Sequence, residues 1–124
     1  MTKKILIFGA GAIGRGYLGP LLQKHDVELS FVDINRELIK ELKTRKSYKA
    51  AITCGDHYEI VDVPVTESFY LDEVPSVGSY DLVFCSVGPN NCYDLAEHFK
   101  MAKNVISCEN DASTAIKLRE LTGN

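Results

Sequence analysis

The 124-residue chain lacks most features that mark membrane, secreted or metal-dependent proteins. No apolar run approaches the ~20 residues that a membrane-spanning helix needs, and the run after the N-terminal lysines is too short for a signal peptide. Its four cysteines form no CxxC pair, and its three histidines show no zinc-ligand spacing. We therefore expect a cytoplasmic protein with no membrane partner, no metal site and no disulfide framework.

The chain also lacks an excess of positive charge. Its 17 acidic residues outnumber 14 lysines and arginines, which gives a net charge of −3. Because nucleic acids attract basic surfaces, we expect no nucleic-acid partner. The length suits one domain, and neither a repeat nor a flexible linker interrupts it. We therefore treat residues 1–124 as a single domain.

Hydrophobic periodicity predicts that strands and helices alternate along the chain. Strands are predicted at 4–8, 27–33, 81–87 and 104–108, helices at 12–24, 36–45, 89–99 and 112–121, and a short helix or turn at 68–74. Pro20 should loosen the first helix, because it cannot donate a backbone hydrogen bond. Two β-prone runs predict a hairpin excursion around residues 48–63. The order favours an α/β fold with a doubly wound, mostly parallel sheet.

A glycine-rich segment follows the first strand with the spacing GxGxxG. Gly9 allows a sharp turn, Gly11 allows a pyrophosphate to approach the backbone, and Gly14 allows the helix to lie close to the sheet. The backbone N–H groups at the helix start, around Ala12 and Ile13, would face the phosphates. The segment predicts a Rossmann-like dinucleotide-binding domain.

An acidic residue ends the second strand. Asp33 stands 19 positions after Gly14, where a carboxylate accepts hydrogen bonds from a ribose diol. Because it would repel a 2′-phosphate, we expect NAD(H) rather than NADP(H). Ile34 and Asn35 join this candidate site, and Asn35 should also cap the next helix. For Arg36, contact with a 2′-phosphate, a place beside the adenine and simple exposure to water all stay open.

Two later strand ends complete the candidate site, because ligands of open parallel sheets bind beyond the carboxyl ends of the strands. We expect these two strand ends to border the nicotinamide. The residues of the first are Ser86, Val87, Gly88 and Pro89, and those of the second are Glu109 and Asn110. The first group also fits an ordinary strand-to-helix turn. Asn110 fits a helix cap equally well.

Four blocks together resemble a known family. They are residues 8–17, 33–35, 86–89 and 107–110. The chain resembles the N-terminal NAD-binding domain of the polyol-specific long-chain dehydrogenases, which include mannitol-1-phosphate 5-dehydrogenases, mannitol 2-dehydrogenases and hexuronate reductases. Arg15-Gly16 after the glycine segment and Cys108-Glu109-Asn110 at a strand end are less common than GxGxxG itself.

The resemblance implies an oxidoreductase that transfers hydride between NAD(H) and a sugar alcohol or its phosphate, without a metal. In that family the catalytic lysine and its helpers lie in a separate helical C-terminal domain. No residue here matches the lysine motif, so no catalytic residue is assigned and the chain alone should be inactive. The sugar substrate would bind to that second domain. Without it the chain could self-associate, and Arg15 could contact a pyrophosphate, a substrate phosphate or solvent.

Two other functions fit parts of the pattern. The length of 124 residues also suits a stand-alone dinucleotide-sensing module without catalysis. A methyltransferase that uses S-adenosylmethionine also has a glycine-rich turn and an acid after the second strand. Such enzymes usually lack the third glycine, here Gly14, and the Cys-Glu-Asn block.

Overall fold

The computed structural model describes residues 2–10, 14–74, 76–87, 96–100 and 102–107. The strands are β1 (Lys3–Phe8), β2 (Val27–Asp33), β3 (Ser47–Cys54), β4 (His57–Pro64), β5 (Glu67–Tyr70), β6 (Leu82–Cys85) and β7 (Val105–Ser107). The helices are α1 (Gly19–Leu22), α2 (Arg36–Arg45) and α3 (Ala96–Phe99). A π-helical turn (Gly14–Leu18) precedes α1, and two 3₁₀ turns cover Leu71–Glu73 and Val77–Ser79.

Five of the described strands form one parallel sheet, in the order β5-β2-β1-β6-β7. Strands β3 and β4 form a separate antiparallel hairpin with Gly55 and Asp56 at its turn. Gly55 has φ +65°, which suits a tight turn that requires a positive φ. The predicted α/β fold with a mostly parallel sheet and a hairpin excursion is therefore confirmed.

The central strand β1 is buried on both faces. Leu6 and Phe8 belong to one core cluster with α3 and the second 3₁₀ turn, whereas Ile5 and Ile7 belong to another with α2 and the hairpin. All four side chains are at most 1% exposed. This two-sided burial explains the continuous apolar sequence of the strand, because successive side chains point to opposite faces.

The order of the strands creates a switch point beside β1. The chain runs from β1 to β2 on one side and later places β6 on the other side. In open parallel sheets, ligands bind at the carboxyl ends of the strands near such a point. We call this edge of the sheet, where β1, β2, β5 and β6 end, the carboxyl edge.

The first helix differs in length from the prediction. Its described helical part runs from Gly14 to Leu22, with a π-helical turn over Gly14–Leu18 followed by the α-helical turn Gly19–Leu22. Pro20 has no N–H to donate to the carbonyl of Gly16, so the α-helical hydrogen bond to the preceding turn is missing here and that turn adopts a different pattern. The expected loosening near Pro20 is confirmed, but the predicted extension to Lys24 is wrong.

The prediction of a helix or turn over 68–74 is wrong for its first half. Residues 67–70 form β5, whose Tyr70 lies opposite Asp33 of β2. This parallel pairing with a distant strand overrides the weak local signal. The residues predicted as helix 112–121, and most of 89–99, lie outside the described residues.

Cys85 is completely buried in the core, as expected for a small apolar residue. It is also disulfide-bonded, a bond that the expectation of no disulfide framework did not anticipate. No helix among the described residues is long and apolar enough to cross a membrane. In the same part of the chain, no group of three His, Cys, Asp or Glu side chains is placed to hold a metal ion.

Candidate functional site

Gly9 forms a close contact between the ends of β1 and β6. Its φ is +102°, and a Cβ built there would lie 2.7 Å from the carbonyl oxygen of Ser86 and 2.8 Å from Cγ1 of Val87. The Ser86 amide donates to the carbonyl of Phe8 at 2.9 Å. The Ser86 hydroxyl lies 3.2 Å from the carbonyl oxygens of Phe8 and Gly9. Both conformation and space therefore require glycine at position 9.

Gly14 brings the helical segment onto the same turn. A Cβ at this position would overlap the carbonyl oxygen of Gly9 and would lie 3.4 Å from Cγ2 of Ile7. The overlapping atom belongs to the backbone, so a rotamer change cannot remove the clash. The expected role of Gly14 in close packing between helix and sheet agrees with this geometry.

Asp33 connects the glycine segment to the start of α2. One carboxylate oxygen accepts the Ala10 amide at 2.7 Å, and the other accepts the Asn35 amide at 2.8 Å. Asn35 in turn caps α2, because its side-chain oxygen accepts the Leu38 amide at 3.1 Å. A carboxylate has about four acceptor positions, so Asp33 keeps capacity for a further donor.

The first amides of the glycine segment already have partners within the protein. The Gly9 N–H donates to the carbonyl of Val32 at 2.7 Å, and the Ala10 N–H donates to Asp33. Both N–H groups are therefore already engaged within the protein. Beside Asp33, the Ile34 side chain is 77% exposed and offers an apolar surface at the carboxyl edge.

The described part of the site unites residues that are far apart in sequence. Gly9, Gly14, Ser86 and Val87 meet around one turn, and Asp33 reaches that turn through Ala10. The remaining candidates lie outside the described residues, and their roles stay predictions: Gly11, Ala12, Ile13, Gly88, Pro89, Glu109 and Asn110.

Sequence reasoning missed a link between the hairpin and the glycine segment. The Tyr48 hydroxyl donates to the carbonyl of Arg15 at 2.8 Å, and the Arg15 Nε donates to the carbonyl of Ala10 at 2.5 Å. The Tyr48 ring packs edge-on against Phe31, with centroids 5.9 Å apart. Burial raises the pKa of Tyr48, so its hydroxyl remains a donor at neutral pH. The alternation of β3 predicts a packing role for Tyr48 but not its hydrogen bond.

We expect Tyr48→Phe to lower the free energy of unfolding by ~0.5–1.5 kcal/mol, because one partly buried hydrogen bond is lost. The Ala10 amide should also exchange faster with deuterium. Tyr58→Phe is the matched control, since this ring is 69% exposed on the hairpin. Equal effects of the two substitutions, or unchanged exchange at Ala10, would contradict a link through Tyr48.

Comparison with known proteins gives a family. Residues 3–122 match the family described as the mannitol dehydrogenase Rossmann domain. The mannitol-1-phosphate 5-dehydrogenase of Enterococcus faecalis is 34% identical over 83% of this chain and 31% of its own length. The corresponding enzyme of Brevibacillus brevis is 35% identical over 91% of this chain and 33% of its own length. The chain thus spans about a third of these curated relatives.

Solved structures support the same fold at low sequence identity. An NADP⁺-bound yersinopine dehydrogenase matches 98% of this chain and 32% of its own, with a TM-score of 0.80 and 16% identity. An octopine dehydrogenase with NADH and L-arginine matches 98% of this chain and 32% of its own, with a TM-score of 0.68 and 13% identity.

The family match covers nearly the whole chain and agrees with the parallel sheet and the glycine turn. The expectations of an oxidoreductase domain and of NAD as the cofactor are confirmed at the level of the family. The chain belongs to the mannitol dehydrogenase family, as its NAD(H)-binding Rossmann domain.

Proposed function

We propose that this chain binds NAD(H) across the carboxyl ends of β1, β2 and β6. The observation that carries the proposal is the bond between the Asp33 carboxylate and the Ala10 amide, which fixes an acid beside the glycine segment. The residues present fit a dinucleotide, because Cβ atoms at Gly9 and Gly14 would fill the turn on which the phosphate loop depends.

Each part of the proposed site has a separate task. Gly9 and Gly14 shape the turn, and backbone amides at Gly11, Ala12 and Ile13 would hold the diphosphate. Asp33 would accept hydrogen bonds from the adenosine ribose and repel a 2′-phosphate, which favours NAD(H) over NADP(H).

The two ends of the dinucleotide would meet different side chains. Ile34 and Asn35 would lie on the adenine side, where the exposed Ile34 supplies apolar surface. The nicotinamide side would be bordered by residues that follow β6 and β7, namely Ser86, Val87, Gly88, Pro89, Glu109 and Asn110. The contacts of Ser86 and Val87 with the Gly9 turn support this arrangement.

The reaction of the whole protein is a further part of the proposal. The bound nicotinamide would supply hydride transfer to or from a sugar alcohol or its phosphate, of the mannitol 1-phosphate and fructose 6-phosphate type. Residues 1–124 would bind and orient the cofactor. The proton-transfer group and the sugar site would lie in a helical catalytic domain, since the chain spans about a third of its relatives.

The location and assembly of the chain also remain proposals. We place it in the cytoplasm. We also propose weak self-association of the isolated chain, which the exposed Tyr58 and Ile60 side chains support. Sedimentation velocity would test the second point, because a monomer at every concentration would contradict it.

NADH binding and turnover of the isolated chain test the proposed function together. NADH should raise the unfolding temperature increasingly as its concentration exceeds the Kd, roughly with the logarithm of that concentration, because it binds the folded state. S-adenosylmethionine should not compete. Mannitol 1-phosphate with NAD⁺ should give no NADH above a protein-free control. Competition by S-adenosylmethionine would refute the cofactor assignment, and steady turnover would refute the division of labour between domains.

A further inference from the structure

An arginine at the start of α2 lies close in sequence to the proposed ribose acceptor. Arg36 follows Asp33 by three residues, and Tyr70 lies opposite Asp33 in the parallel pairing of β2 with β5. In dinucleotide-binding folds, an arginine near this acid can accommodate a 2′-phosphate. The question is therefore which contacts hold the Arg36 side chain in a domain whose family uses NAD.

Two contacts fix the position of the Arg36 guanidinium. Its Cζ atom lies 4.5 Å from the centroid of the Tyr70 ring. Its Nη2 atom lies 3.0 Å from Oδ2 of Asp72, in the 3₁₀ turn after β5. Among the ion pairs of the described residues, that of Arg36 goes to Asp72 and none joins Arg36 to Asp33.

A second cation–acid pair contacts the same ring and provides a comparison. The Lys43 Nζ lies 4.5 Å from the Tyr70 centroid and 2.5 Å from Oε1 of Glu73. The same oxygen accepts the Tyr70 amide at 2.9 Å. The hydrogen bond from Lys43 lowers the pKa of Glu73. Glu73 thus fastens the 3₁₀ turn to the backbone of β5, whereas Asp72 contacts the Arg36 side chain.

The exposure of the Arg36–Asp72 pair limits its strength. The two side chains are 65% and 69% exposed. Ion pairs this exposed change an equilibrium constant by up to about fivefold. An anion that recruits Arg36 must therefore break this pair, and its affinity falls by up to that factor. A phosphate is such an anion, because a guanidinium binds it through two parallel hydrogen bonds.

We propose that Asp72 is a specificity-determining residue of the cofactor site, because it holds Arg36 against Tyr70 and withholds it from a 2′-phosphate. The inference rests on the proposed NAD(H) site. Discrimination against NADP(H) then has two sources: Asp33 repels the 2′-phosphate directly, and Asp72 occupies the arginine that would otherwise neutralise it.

The test compares two adenosine probes that differ at the 2′ position. Adenosine 2′,5′-bisphosphate and 5′-AMP are titrated into the wild-type chain and Asp72→Asn at low salt. We expect Asp72→Asn to tighten binding of the 2′,5′-bisphosphate by about three- to fivefold and to leave 5′-AMP unchanged. Glu73→Gln removes the same charge from the same turn and is the matched control, with an unchanged ratio of the two affinities.

A second set of variants distinguishes the release of Arg36 from a general change in the electrostatic potential at the site. In Arg36→Gln, adding Asp72→Asn should give no gain for the bisphosphate. A gain that survives in Arg36→Gln, a similar gain in Glu73→Gln, or no gain in Asp72→Asn would each overturn the proposal. Asp72→Ser is a second variant if Asp72→Asn unfolds. Failure of the NAD(H) site itself would appear differently, as absence of NADH and 5′-AMP binding by the wild-type chain.

Discussion

Gly14→Ala should weaken NADH binding at least ~10-fold, which is ~1.4 kcal/mol, and should lower the free energy of unfolding by about 2–3 kcal/mol. The new methyl group would overlap the carbonyl oxygen of Gly9, and Gly9 itself has no room to retreat because it contacts Ser86 and Val87. Movement of the helix would displace the amides proposed to hold the diphosphate. Urea denaturation and NADH titration by calorimetry measure the two effects.

Gly16→Ala is the matched control for this substitution. Gly16 lies in the same π-helical turn, is exposed, and has no heavy atom within 4 Å of a built Cβ. Its φ is not in the left-handed region, so alanine should be tolerated or should stabilise by up to ~1 kcal/mol. If Gly16→Ala impairs NADH binding as strongly as Gly14→Ala, contact between helix and sheet is not the cause.

Asp33→Asn should weaken NADH binding by about tenfold or more and should shift the preference toward NADPH. A neutral amide neither repels a 2′-phosphate nor offers two acceptor oxygens, so a charge-assisted bond of ~1.5–3 kcal/mol is lost. One of the Ala10 and Asn35 amides also loses its acceptor, and stability should fall by ~1–3 kcal/mol. Parallel titrations with NADH and NADPH measure the preference.

Asp26→Asn makes the same chemical change just before the opposite end of β2. Asp26 is exposed and accepts a hydrogen bond from the Thr2 hydroxyl at 2.9 Å. Its substitution should leave the ratio of NADH to NADPH affinity unchanged, because it lies away from the carboxyl edge. An equal shift in both variants would mean that net charge, rather than the place of Asp33, sets the preference.

Local patterns in the sequence predicted the fold and the positions of several candidate-site residues within it. The apolar runs of β1 and β2 and the glycine spacing between them are short-range signals, and they placed Gly9, Gly14 and Asp33 correctly in the fold. The hairpin could also be predicted from the sequence, because Gly55 and Asp56 form a turn between two β-prone runs.

Features that depend on distant partners could not be predicted in the same way. Strand β5 forms by pairing with β2. In this pairing Tyr70 lies opposite Asp33, which is 37 residues earlier in the sequence. The Tyr48 hydrogen bond spans 33 residues, and the Arg36–Asp72 pair spans 36. No spacing rule predicts such pairs, since they follow from how the sheet and α2 pack. The sequence consequently left the role of Arg36 open.

An NMR titration of the ¹⁵N-labelled chain with NADH tests the location of the site most directly. We predict the largest amide shifts at residues 9–14, 33–36 and 86–88, with little change at 55–60 on the hairpin. The Ala10 amide signal should shift strongly, because its acceptor Asp33 would also accept hydrogen bonds from the ribose hydroxyls. Shifts confined to the hairpin, or none at saturating NADH, would contradict the proposed site.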